Sequence, residues 1–291
     1  GAVSFQKPVE QFNMAMLKES ANQQLARGGM PSYRPVMHHE FFTYISQHME
    51  DKIGDVTMSP IYVSGRHTTR VNFDGTAKDA CPLSKLLIER CVVSITGNIS
   101  TTLTLGESNG DGIIPTKLSP SVAISYNDKG ISVAFGTKVW ACSNMCIFGE
   151  RSISTYGNRK VSFDDLRDLV ITYINQIETN FAKDVEKIKA LSKIELDITK
   201  QKILESEILE HALEQNIKNS KKELILNITQ SNAMTREVLI KRKKKPELLT
   251  GWDMFQAGTE NLKEDNMDMI IAHETLERFG NYMLDKLESQ N

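Results

Sequence analysis

The sequence predicts an α+β fold: an antiparallel β-sheet N-terminal half with flanking helices, followed by a long-helix C-terminal half. Two observations carry this. Between Val56 and Phe148, β-branched and other apolar residues alternate with polar ones and are broken by Gly, Asn and Asp, the pattern of antiparallel strands. After Ser162 the apolar residues recur at steps of three, four or seven, the spacing that lines one face of a helix. The chain divides on this reading into an N-terminal helical arm (1–57), an antiparallel β region (58–157) and a helical region that packs on it (158–291).

The polar N-terminal stretch predicts a helix around Val9–Ala26, closed by a loop containing Gly28, Gly29, Pro31 and Pro35. From His38 to Lys52, Phe41, Phe42, Ile45 and Met49 share one helical face, and Gly54-Asp55 stops the helix. The clearest β unit is a hairpin. Val122, Ile124 and Tyr126 alternate on one arm and Ile131, Val133 and Phe135 on the other, with Asn127-Asp128-Lys129-Gly130 as the turn and Gly130 free to take a positive φ. Further strands are expected at Ile61–Ser64, Arg70–Phe73, Cys91–Ile95, Ser100–Leu105 and Val139–Ala141. A short helix is expected at Pro82–Glu89, where Ser84-Lys85-Leu86-Leu87 interrupts the alternation.

Ser162, followed by Asp164 and Asp165, has the chemistry of a helix N-cap. Val170, Ile174, Ile177, Phe181, Ile188, Leu191 and Ile198 then form a heptad-like seam. Glu195 interrupts it, and Leu204, Ile208, Ala212 and Ile217 need a shifted register, so the region reads as two or three packed helices and not one rod. Pro246 closes the last of them, and a final helical stretch runs from Gly251 to Leu287.

At 291 residues, 40% hydrophobic and 25% charged, the chain has ordinary globular composition, which excludes collagen-like, rod-like and wholly disordered classes. A net charge of −2 supplies no global attraction to polyanions, so any such site must be local. Four cysteines are too sparse for a disulfide framework and imply reduced thiols. No run approaches the ~18 apolar residues of a membrane helix, and the N-terminus lacks a signal pattern. A cytoplasmic location without membrane attachment is expected. A start at Gly1 instead of Met implies a processed end or an appended scar, and whether native residues precede it is open.

Four features hold candidate chemistry. Cys142 and Cys146, with Cys81 and Cys91, suggest zinc, but 81 and 91 lack knuckle spacing, and packing at a strand end is the plainer reading. Glu107-Ser108-Asn109-Gly110-Asp111-Gly112 opens like a calcium loop, yet Leu118 stands where the bidentate Glu belongs. The six histidines form no HExxH motif, and no nucleophile–base set is assignable from chain order. No metal ligand set, cofactor motif or small-molecule ligand is therefore identified. The remaining feature is Lys241, Arg242, Lys243, Lys244 and Lys245: five cations that either complement a helix C-terminus or contact phosphates.

Residues 107–149 bear a resemblance to the phage/plasmid-like protein family known as domain of unknown function nine-three-two. The likeness lies in the Ser108–Gly112 turn, the following hairpin and a strand ending in Cys142-Ser143-Asn144, where Met145 replaces the family's glycine. Tyr33–Glu40, with His39, and Leu249–Glu260, with Trp252 and Thr259, are similar to two further family segments. The resemblance implies a bacteriophage, prophage or plasmid gene in a bacterial host, with Ser108, Asp111, Cys142, Ser143 and Asn144 as motif positions, and implies no activity. The expected function is that of a non-enzymatic accessory protein that works by binding, with nucleic acid as first partner through Lys241–Lys245. The alternatives are an assembly protein that forms a homo-oligomer through the helices from Val170 onward, and an uncharacterised enzyme.

Overall fold

The computed structural model describes residues 13–26, 36–67, 86–106, 114–127, 129–142, 144–157, 159–220, 222–245, 249–262 and 269–289. Helices α1 (Met14–Ala26) and α2 (His38–Ile53) precede strands β1 (Val56–Met58), β2 (Tyr62–His67), β3 (Leu86–Gly97), β4 (Thr101–Leu103), β5 (Thr116–Tyr126), β6 (Ile131–Val139), β7 (Asn144–Cys146) and β8 (Ser152–Ser154). Then come α3 (Phe163–Asn175), α4 (Ile177–Ser192), β9 (Glu195–Leu196), α5 (Ile198–Ile217), α6 (Ile228–Lys244), β10 (Leu249–Thr250), α7 (Gly251–Thr259) and α8 (Met269–Glu288). The sheet lies in the N-terminal half and helices dominate the C-terminal half, as the sequence predicts.

One eight-stranded sheet runs β1-β3-β5-β6-β7, with β2 on β3, β4 on β5 and β8 on β6. Its named pairings are all antiparallel. The predicted hairpin is its centre: Val122 faces Phe135, Ile124 faces Val133 and Tyr126 faces Ile131. These large residues, with Val93 and Ile95 of β3, build one core with Leu17, Phe41, Phe42, Ile45 and Met49 of α1 and α2 and Leu166 and Val170 of α3.

The alternate residues are small, and they too are buried. Ser121, Ala123 and Ser125 of β5 stand opposite Gly136, Ala134 and Ser132 of β6. Their short side chains let helices from the C-terminal half approach closely. A Cβ on Gly280 of α8 would stand 2.1 Å from the Ile147 carbonyl oxygen, so only glycine fits there. A second core follows, joining Leu118, Val139 and Phe148 to Ile188, Leu204, Met234, Trp252, Phe255 and Phe279. Helices thus cover both faces of the sheet.

Buried polar groups fix this second layer. Asp184 of α4 accepts from Thr137 Oγ1 and Arg151 Nη1, each at 2.9 Å, and also pairs with Arg151 Nη2. Burial pushes the Asp184 carboxyl up, while Arg151 pulls it back. Glu277 of α8 accepts from the backbone N–H groups of Arg151 and Ser152 at 2.6 and 3.0 Å and pairs with Arg159.

Several expectations need correction. Leu86–Glu89 is strand and not helix, because Leu86–Ile88 pair with Gly65–His67 and the ladder overrides the local apolar doublet. Residues 82–85 and the expected strand at Arg70–Phe73 lie outside the described residues, as does Pro246. Strand β6 ends at Val139, and Trp140–Cys142 turn the chain into β7. Gly130 has no positive φ; a Cβ there would meet Thr155 Oγ1 at 2.5 Å, so close approach is what calls for glycine. Ile198 and Ile217, placed on the apolar seam from sequence, are 61% and 84% exposed on α5.

Candidate functional site

The capping box that starts α7 also starts the site. Thr250 Oγ1 accepts from the Asp253 N–H at 3.2 Å, and Asp253 Oδ2 accepts from the Thr250 N–H at 3.0 Å. Asp253 and Gln256 of this helix and Glu260 just past its end recur at helical spacing, and all three line a cleft of about 190 Å³. The opposite wall is the C-terminal end of α6, with Glu237, Lys241, Lys244 and Lys245. The remaining wall is Ile114, Cys142 and Asn144, at the edge of the sheet.

The five-cation run is divided among three tasks. Arg242 points away from the cleft, its Nε donating to Gln201 Oε1 at 2.9 Å and its Nη2 to the Leu196 carbonyl at 2.8 Å, which ties α6 to α5 and β9. Lys245 Nζ lies 3.0 and 3.3 Å from the two Asp253 oxygens. Lys241 and Lys244 line the cleft, Lys243 is exposed beside them, and among the described residues none of these three side chains has a hydrogen-bond or ion-pair partner. The helix dipole accounts for cations in the last turn of α6. It does not account for Lys241 and Lys244 lining the cleft without a partner among the described residues.

At the cleft wall Asn144 Nδ2 donates to Gln256 Oε1 at 2.9 Å, and Thr259 Oγ1 reaches the same oxygen at 3.1 Å. Asn144 and Gln256 are 2% and 4% exposed, yet among the described residues Asn144 Oδ1 and Gln256 Nε2 have no partner. Buried polar atoms are almost always satisfied in folded proteins, so two orphans on one cleft wall call for an explanation.

The motif positions divide accordingly. Asn144 and Cys142 reach the cleft, and Thr259 orients Gln256. Trp252 is fully buried and stacks on Phe255, a core role. His39 sits on α2, which packs on the opposite face of the sheet, and burial lowers its pKa. Ser108, Asp111 and Ser143 lie outside the described residues. Met145 takes no positive φ within β7, so a residue other than glycine costs no backbone strain there. Gln256, Asp253, Glu237 and Glu260 were not singled out from sequence; the polar stripe at positions 253, 256 and 260 was the available signal.

Cys146 is fully buried and its thiol is pushed well up by desolvation first and then by Asp184 and Cys142, which makes it inert at neutral pH. Among the described residues no group of three or more His, Cys, Asp or Glu side chains gathers as metal ligands, and no helix is long and apolar enough to cross a membrane.

No family model, curated protein or solved structure matches the chain.

Proposed function

We propose that the protein is a non-enzymatic binding protein for nucleic acid, of the accessory kind that a phage, prophage or plasmid gene supplies, with phosphates held by Lys241, Lys243 and Lys244. One observation carries the reading: Lys241 and Lys244 have no acidic or hydrogen-bonding partner among the described residues and face a cleft whose wall has unpaired buried amide atoms. Lysines released from structural pairing are free to replace condensed counterions on a phosphate backbone. Glu237 and Glu260 line the same cleft and balance the formal charge of Lys241 and Lys244, which favours a ligand with donor groups beside its phosphates over a plain polyanion.

The test is titration of a labelled single strand and a duplex at several salt concentrations by fluorescence anisotropy. For a single strand, each lost phosphate contact lowers the slope of log K against log salt by about 0.7. The double substitution K241E/K244E is expected to lower it by about 1.4. Lys183→Glu, on the exposed side of α4, changes charge elsewhere and is expected to leave the slope in place. Wild-type protein that binds neither strand at low salt refutes the reading.

Assembly through the helices is the second reading, and its surface differs from the one expected. Val170, Ile174, Ile177, Phe181, Ile188 and Leu191 are buried in the chain's own cores and are not available to a second copy. The observation that favours assembly is on α5 and α6, where Ile198, Ile203, Leu213, Ile217, Leu239 and Ile240 are exposed. Sedimentation of the wild type against Ile217→Lys decides it: a monomer in both removes this reading.

A further inference from the structure

The orphan atoms Asn144 Oδ1 and Gln256 Nε2 point to a ligand more specific than a phosphate chain. Each is nine-tenths or more buried and belongs to a residue that lines the cleft. Resting on the nucleic-acid reading, we propose that Asn144 and Gln256 form a nucleobase subsite: the strand's phosphates lie on Lys241 and Lys244, and one base turns into the cleft to meet the free edge of the amide pair.

The donor and acceptor left over are the same in number for either orientation of the two amides. With Asn144 Nδ2 on Gln256 Oε1 at 2.9 Å, the free edge offers an acceptor from Asn144 and a donor from Gln256. If both amides are turned over, Gln256 donates to Asn144, and the free edge offers a donor from Asn144 and an acceptor from Gln256. Either way one donor and one acceptor of the pair are left without a partner among the described residues, on two residues that line the cleft. Phosphate has only acceptors and cannot satisfy both. A nucleobase edge sets a donor beside an acceptor and can do so, as Asn and Gln side chains do in base readout.

Size and position agree. A cleft of about 190 Å³ is below the ~300 Å³ at which pockets begin to engulf a whole small molecule, so it takes one end of a ligand and leaves the rest outside. Lys241 and Lys244 stand on the α6 wall of the same cleft, where the phosphates of such a ligand would emerge. Thr259 Oγ1, 3.1 Å from Gln256 Oε1, holds the amide plane before any ligand arrives.

The experiment uses full-length wild-type protein and three labelled single strands of equal length at low salt: oligothymidylate, an abasic-spacer strand with the same phosphates, and an oligomer of N3-methylthymidine. The methyl group removes the donor that the free acceptor needs while it leaves the ring. The thymidine strand is expected to bind about fivefold or more tightly than both others, with one common salt slope. Gln256→Leu is expected to bring the three to the same affinity, and its far-UV circular dichroism checks the fold. Equal binding of thymidine and abasic strands overturns the subsite while the phosphate reading stands. N3-methylthymidine bound as tightly as thymidine also overturns it, since stacking elsewhere would then explain any preference for bases. No binding of any strand removes the subsite and the nucleic-acid reading together.

Discussion

Asp253 decides whether Lys245 belongs to the fold or to the ligand. Its carboxylate is 3% exposed and serves three donors: Lys245 Nζ at 3.0 Å, and the N–H and Oγ1 of Thr250 at 3.0 and 3.1 Å. Asp253→Asn keeps an oxygen for the Thr250 donors but removes the charge opposite Lys245, whose side chain is only 19% exposed. A hydrogen bond to a charged group contributes about 1.5–3 kcal/mol, and part of the cap, worth about 1 kcal/mol, is kept, so the expected loss is about 2 kcal/mol. Lys245→Met leaves Asp253 its two neutral donors and is expected to cost about 1–2 kcal/mol. In the double variant the second change removes a partner already lost, so its cost falls short of the sum by about 1–2 kcal/mol. Urea unfolding of the four proteins gives the cycle, with an unchanged m-value showing that the denatured state is not altered. Additivity within about 0.5 kcal/mol would mean that the pair contributes nothing and that Lys245 is free for ligand, contrary to the division of the run drawn above.

Two further predictions follow from the packing of α8. His273 is fully buried with Nδ1 2.9 Å from Ser132 Oγ and, among the described residues, no partner for Nε2, and desolvation lowers its pKa to about 4 from 6.5. The unfolded chain therefore takes up a proton below 6.5 that the folded chain refuses, so stability falls as pH drops from about 6.5 to 4, by about 3 kcal/mol over the window at 1.36 kcal/mol per unit. Chemical denaturation of wild type and His273→Phe across that window checks it, and parallel pH profiles would contradict it. Gly258→Ala would put a Cβ 2.0 Å from the Phe279 ring, which must shift within a filled core, and a loss of about 1–3 kcal/mol is expected in the same assay; an unchanged midpoint would refute the contact.

The elements readable from sequence are those whose determinants are local. Asn127 Oδ1 accepts from the N–H groups of Lys129 and Gly130 at 2.7 and 3.1 Å, so the central hairpin turns on its own side chain. Ser162 Oγ accepts from the Asp165 N–H at 3.1 Å, as its position before two acids predicts. What could not be read depends on which layer an element joins. Val170, Ile174 and Ile177 pack on one face of the sheet, while Phe181, Ile188 and Leu191 pack on the other. The apolar period runs through Gln176 without a break although the chain changes face there, and periodicity has no information about layers. The small residues of β5 and β6 give the same lesson, since Ser, Ala and Gly suit either solvent or a closely packed helix. Of the site, the basic run was legible as chemistry, and Asn144 entered only as a position of the family resemblance. Their meeting with Gln256 was not legible, because 112 residues separate Asn144 from Gln256.

The cleft owes its polarity to structural economy at one junction. Helix α6 ends where β10 and α7 begin, and both ends have polar demands that the fold meets from within. Lys245 and Asp253 answer each other, and Arg242 answers the Leu196 carbonyl. Once those demands are met, Lys241, Lys244 and the free edge of the amide pair remain. An unpaired buried donor or acceptor costs about 1–3 kcal/mol, whereas apolar side chains of similar shape at both positions would be nearly neutral. A chain selected for stability alone would favour leucines at 144 and 256. Keeping two amides there makes sense if a ligand completes the pairing, and the measurable sign is a double variant, Asn144→Leu with Gln256→Leu, that is as stable as wild type or more so while losing its preference for strands with bases.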